Sequence, residues 1–274
     1  FFSKLYVALI LLFLYAPVAV MVLFSFNSAE SVWVFEGFSL EWYKNLLFDK
    51  AMLTALQHTL VIAVLSSFIS TVLGTAAAVG ILAFRKKINI KLSMTVTNIP
   101  MMNADIVTGV SLMLLFIFFG RLLGLTESLG FVTVLIAHVT FNLPYVILSV
   151  LPRINELGNS LTEAALDLGC TPTQTFFKIE VPAIMPGIIS GLMMSFTLSL
   201  DDFVISHFVS SPDFKTLPLY IYNQTAHEVK FSMYALCTLI ILTILVLLIA
   251  VNLAGSRKKD RPRKQKRVKG ATAK

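Results

Sequence analysis

Residues Glu163–Pro182 read EAALDLGCTPTQTFFKIEVP, a polar and patterned island between two apolar runs long enough to cross a bilayer. Ser160 and Glu163 have the S-x-x-E spacing of a capping box, which predicts a short helix to about Leu168. Gly169 follows, where helices end in the left-handed conformation that glycine tolerates. Thr171, Pro172 and Gln174 repeat the start signal: a threonine cap, proline in the first turn, glutamine at the third position. The second helix is expected to end before Pro182, because a residue preceding proline avoids helical angles. Pro186 would then open the next apolar run. The island reads as helix, glycine turn, helix. With Leu161 just before it, the island carries Ala164, Ala165, Leu168, Phe176, Phe177 and Ile179. That much apolar surface on a polar loop implies packing below the bundle and a further partner.

The rest of the chain explains why such a loop is needed. Of 274 residues 57% are hydrophobic and only 14% charged, against about a quarter charged in soluble domains, so this is a polytopic membrane protein. Six runs reach the roughly 20 apolar residues of a spanning helix: Leu5–Phe26, Leu56–Phe84, Ser93–Phe119, Phe131–Leu151, Pro186–Phe208 and Phe231–Leu253. The first is too long for a signal-peptide core and reads as a retained span. With both termini inside, 17 of the 22 Lys and Arg residues fall on the cytoplasmic side and 5 outside, as the positive-inside rule requires. The expectation is an all-α integral membrane protein with six transmembrane helices and cytoplasmic termini. Residues 1–256 would form the membrane domain, with residues 153–185 as its cytoplasmic loop. Residues 257–274 would be a flexible basic tail that meets anionic lipid rather than nucleic acid.

Finer features follow. Trp42 and Tyr43 suit the water–lipid boundary, and a short interfacial helix is expected near Leu40–Phe48. Ser66, Ser70, Gly74 and Ala78 line one face of the second span, and Gly187, Gly191, Ser195 and Ser199 one face of the fifth. Such faces let helix backbones approach closely in lipid. Cys170 and Cys237 have the spacing of neither a disulfide framework nor a metal site, and the four histidines lack metal-ligand spacing.

Three acids fall within the expected spans. Asp105 is placed near the middle of the third, Asp201 and Asp202 in the outer half of the fifth. A carboxylate at the bilayer centre costs roughly 2.5–3.5 kcal/mol on insertion scales, so it faces a cavity or a partner. They are candidates for the lining of a path, with Phe203, Phe208, Tyr220 and Tyr222 as aromatic neighbours that favour cations. The alternative is a structural role, bonded to neighbours such as Thr108, His138 or Ser199. There is no nucleophile elbow and no catalytic setting. No glycine is followed by lysine, so the chain has no phosphate-binding loop, and energy for any pumping must come from another subunit.

The order Glu163-Ala164-Ala165, three residues, Gly169, nine residues, Ile179, one residue, Val181-Pro182 resembles the EAA loop of ABC importer permeases. Val181 replaces the leucine of that pattern. The segments FSFN (Phe24–Asn27), HVTFNLPYV (His138–Val146), SFTLSLDDFVISHFV (Ser195–Val209) and LPLYIY (Leu217–Tyr222) are similar to the C-type permeases of bacterial spermidine/putrescine importers. The resemblance implies a type I importer permease in the bacterial cytoplasmic membrane, not itself an enzyme. It implies a heterodimer with a homologous permease, two ATPase subunits that bind ATP and Mg, and an extracytoplasmic binding protein that delivers the polyamine. It assigns Glu163, Ala164, Ala165, Gly169, Ile179 and Pro182 to coupling with the ATPase. Related permeases for ferric iron or thiamine, or an ion-coupled secondary transporter, are the alternatives.

Overall fold

The computed structural model describes residues 2–29, 34–83, 90–124, 129–158, 160–225 and 231–259. The basic residues Arg85–Lys87 and the basic tail beyond Lys259 lie outside them. Twelve α-helices occur among the described residues. Five helical stretches are long and apolar enough to cross a membrane: Lys4–Phe24, Lys50–Leu82, Asp105–Leu122, Phe131–Leu157 and Pro172–Asp201. Phe231–Thr243 is a shorter apolar helix.

The chain forms two compact units. One comprises residues 1–48 and 229–274 and holds α1 (Phe2–Phe24), α2 (Glu41–Phe48) and α12 (Phe231–Lys259). The helix expected near Leu40–Phe48 is α2, which occupies Glu41–Phe48. The segment before it is organised by Asn27, whose amide donates to the Val34 carbonyl at 2.7 Å and accepts from the Glu36 N–H at 3.1 Å. Trp42 Nε1 donates to the Asn27 carbonyl at 2.7 Å, which ties α2 to the end of α1.

The second unit, residues 49–228, carries α3 (Lys50–Ala83), α4 (Ile90–Met102), α5 (Asp105–Leu122), α6 (Phe131–Leu157), α7 (Ser160–Asp167), α8 (Pro172–Thr175), α9 (Val181–Asp201), α10 (Val204–Val209) and α11 (Leu217–Thr225). Its core is the three-helix packing of α3, α6 and α9, with α9 antiparallel to the other two. The two small-residue faces meet there. Ser66 Oγ lies 2.8 Å from Ser199 Oγ, and Ser70 Oγ donates to Ser195 Oγ at 3.4 Å. A Cβ on Gly74 would stand 2.7 Å from Val146 Cγ1, and one on Gly187 3.0 Å from the Ser149 carbonyl, so only glycine fits at either position. Asn142 Nδ2 donates to Ser199 Oγ at 2.8 Å and joins α6 to the same seam. Next to it, Ala78, Val146, Ile147, Val150, Leu151 and Ile184 form a buried hydrophobic cluster.

Two expected spans are interrupted. The run Ser93–Phe119 breaks at Asn103 and Ala104, and Asp105 is the first residue of α5 rather than the middle of a helix. Asn and Asp compete with the helical backbone for hydrogen bonds and favour helix ends, and a carboxylate suits the positive end of the dipole. The run Pro186–Phe208 breaks at Asp202 and Phe203, with α10 beyond. The break is stabilised by the Asp202 carboxylate, which accepts the Ile205 N–H at 3.2 Å and the Ser206 N–H at 2.8 Å. α9 also begins five residues before Pro186.

Candidate coupling loop and transport path

The loop folds largely as its cap signals dictate. α7 closes with a Schellman motif: the Gly169 N–H reaches the Leu166 carbonyl at 2.9 Å and the Cys170 N–H reaches Ala165 at 3.1 Å. Gly169 has φ +87°, a conformation that leaves other residues strained. Thr171 Oγ1 accepts the Gln174 N–H at 3.3 Å, and Gln174 Oε1 accepts the Thr171 N–H at 3.2 Å, completing the second capping box. Ser160, in contrast, is the first residue of α7 rather than its cap.

The end of the loop differs from expectation. The helix does not stop before Pro182. It passes through a π-helical turn, Phe176–Glu180, directly into α9. Proline has no N–H, and its ring clashes with the carbonyl four residues back. The wider turn relieves both problems, with the Val181 N–H bonding to the Phe176 carbonyl five residues earlier. The loop and the fifth span are therefore one nearly continuous rod, Pro172–Asp201.

Of the coupling candidates, Glu163, Ala164, Gly169 and Pro182 are exposed, Ile179 is half-buried and Ala165 is buried. Leu161, Leu168 and Phe177 are also exposed, Leu168 at 86% and Phe177 at 64%. Thr162 Oγ1 donates to Glu180 Oε1 at 2.8 Å, a tie that spacing alone did not suggest. A cleft of about 420 Å³ opens beside this bond, lined by Val79, Leu82, Ile154, Glu163, Glu180 and Ile184 among others.

At the opposite end of α9 the adjacent acids part company. Asp201, the last residue of α9, is exposed. The Asp202 side chain retains 8% of its exposure and lies 3.4 Å from Nε2 of His138, itself 2% exposed. That nitrogen also sits 3.1 Å from Ser206 Oγ. Asp202 thus bridges α6 and the first turn of α10. Its partner His138 was among the neighbours the structural alternative named.

The aromatic candidates are partly gathered. The rings of Phe203 and Tyr222 lie 4.5 Å apart, and His207 lies 5.5 Å from Phe203 and 5.3 Å from Phe208. Phe208 packs against Gly109, where a Cβ would come within 2.8 Å of its ring. Asp105 is exposed one helical turn before Gly109. Tyr220 is buried and its hydroxyl donates to Asp49 Oδ2 at 2.8 Å, while Gln224 Nε2 donates to it at 3.2 Å. Burial, then the bond to Asp49, pushes the Tyr220 hydroxyl above the ordinary tyrosine range. Asp49 itself caps α3, accepting the Met52 N–H at 3.1 Å. Sequence reasoning missed Asp49, although an acid three residues before a helical N–H is the signal that finds both this cap and Asp202.

Residues 70–260 match the family described as binding-protein-dependent transport system inner membrane component. The chain belongs to this family. It is an inner-membrane permease, and its relatives are subunits of ABC transporters. It is 42% identical to the putrescine transport system permease protein PotI of Escherichia coli K12 over 84% of this chain and 82% of that one. It is 36% identical to the spermidine/putrescine transport system permease protein PotC of the same strain, over 90% of each. The permease fold is also that of a bacterial ABC transporter involved in import of the acidic polysaccharide alginate, with a TM-score of 0.74 at 15% identity over 95% of both chains. The MetNI methionine ABC transporter, in an inward-facing conformation, aligns with a TM-score of 0.58 at 20% identity over 75% of this chain and 93% of that one.

Proposed function

We propose that this permease forms half of the translocation path of an ATP-driven polyamine importer, with putrescine the first substrate to test. The observation that carries the reading is the 42% identity to a putrescine permease over most of both chains. Asp201 is exposed two residues before Phe203, whose ring lies 4.5 Å from Tyr222 and 5.5 Å from His207, and a carboxylate and aromatic faces are the chemistry that suits an alkylammonium chain. Six spans place both termini and the Glu163 loop in the cytoplasm, a reading supported by the distribution of basic residues. There the exposed apolar side chains Leu161, Leu168 and Phe177 dock on an ATPase subunit, which binds ATP and Mg. A homologous permease supplies the other half of the path, and an extracytoplasmic binding protein delivers the substrate.

The test is uptake of labelled putrescine, spermidine and an unrelated monoamine into proteoliposomes that hold the assembled complex, with and without the binding protein. Uptake of the polyamines that requires both ATP and binding protein is expected. Uptake by this chain alone, or equal uptake of the monoamine, overturns the reading.

A further inference from the structure

The Thr162–Glu180 bond occupies a position that neither the family match nor the loop pattern assigns. α7 joins the rest of the unit through two glycines in left-handed conformation, Gly158 at φ +62° and Gly169 at φ +87°. Nothing lies within 4 Å of where a Cβ would sit on either. Both glycines are exposed and carry no side chain to brace them, so a force applied to α7 could be absorbed by rotation at these two positions. Among the described residues, one side-chain hydrogen bond bridges α7 to the rod that continues into α9: Thr162 Oγ1 to Glu180 Oε1, 2.8 Å. Glu180 is the last residue of the π-helical turn. A π turn adds one residue, which rotates the side chains before it by about 100° relative to those after it. The turn that accommodates Pro182 thus also sets the direction in which Glu180 points.

We infer that Thr162 and Glu180 are positioning residues that lock α7 to the foot of α9, so that displacement of the loop moves the span instead of bending the glycine joints. A carboxylate acceptor suits this task, because hydrogen bonds to charged groups are about twice as strong as neutral ones. The inference rests on the proposed docking of this loop on an ATPase, since without a force on α7 a lock has nothing to transmit.

The test measures putrescine uptake and ATP hydrolysis together in proteoliposomes of the full complex. Thr162→Val, which keeps the shape and removes the hydroxyl, should lower the putrescine carried per ATP hydrolysed about tenfold, the scale of losing one such bond. Thr162→Ser and Glu180→Gln keep a donor and an acceptor and should recover most of the ratio. Glu180→Leu, which removes the acceptor from the other side, should match Thr162→Val. Size-exclusion recovery of each complex separates loss of coupling from loss of assembly. An unchanged ratio in both Thr162→Val and Glu180→Leu overturns the lock while leaving the docking reading intact. A wild-type complex without ATP-dependent putrescine uptake overturns both.

Discussion

The two ends of α9 solve the same problem in opposite ways. Each departs from regular α-helix beside a carboxylate. At the Asp202 end the helix breaks, and the acid is sealed by His138 and two backbone N–H groups, all from its own chain. At the loop end the helix does not break. It widens by one residue, and its acid, Glu180, is half-buried with one described side-chain partner, Thr162. The sealed end is built to hold one geometry. The loop end keeps its polar ties few and Leu161, Leu168 and Phe177 in the open, as the proposed docking on an ATPase requires. The contrast also separates two neighbours of identical type: Asp202 is consumed by structure, while Asp201 faces outward.

The comparison breaks most sharply at Asp202. Asp202→Ala removes the cap of α10 and leaves His138 facing an empty place, and should destabilise the permease by about 3 kcal/mol. Thermal unfolding in detergent reads this directly. Asp202→Asn, which keeps an acceptor oxygen, should lose less. Equal melting of Asp202→Ala and wild type would mean that the seal holds nothing. Asp201→Asn should behave differently, leaving the melting temperature in place while lowering uptake at limiting putrescine about tenfold, the scale of losing one carboxylate–ammonium contact in a partly desolvated path. If Asp201→Asn instead unfolds the protein with uptake per folded complex intact, the assignment of the two acids is reversed. The smallest effect belongs to the loop. Thr171→Ala removes an exposed N-cap and should cost about 1 kcal/mol, visible as faster amide hydrogen exchange confined to Gln174–Phe176.

Much of this was legible in the chain. Gly169 ends its helix with the expected hand, Thr171 and Gln174 make both capping-box bonds, and the two small-residue faces meet. These features depend on residues within a few positions of one another, or on a simple repeat. The breaks at Asn103–Ala104 and Asp202–Phe203 were hidden, because two residues hardly change the hydrophobicity of a long run. Pro182 reads locally as a stop, since the rule for proline assumes a regular helix, and the π-helical turn escapes that rule by changing the register. The division of labour between Asp201 and Asp202 is illegible locally. It is decided by His138, which reaches the site from another helix. The path candidates fare unevenly for the same reason: Tyr220 is tied to Asp49 by an early cap that no spacing links to it.

The seam between α3 and α9 restricts what evolution can write there. Ser66, Ser70, Gly74 and Ala78 face Gly187, Gly191, Ser195 and Ser199, and none of these side chains exceeds a single hydroxymethyl group. Where Val146 and Ser149 already press against the glycine backbones, even one added carbon would collide. This stretch therefore has a vocabulary of about three letters, Gly, Ala and Ser, however far the lipid-facing sides of the same helices drift. Distant relatives that share little else should still spell this face in the same small alphabet.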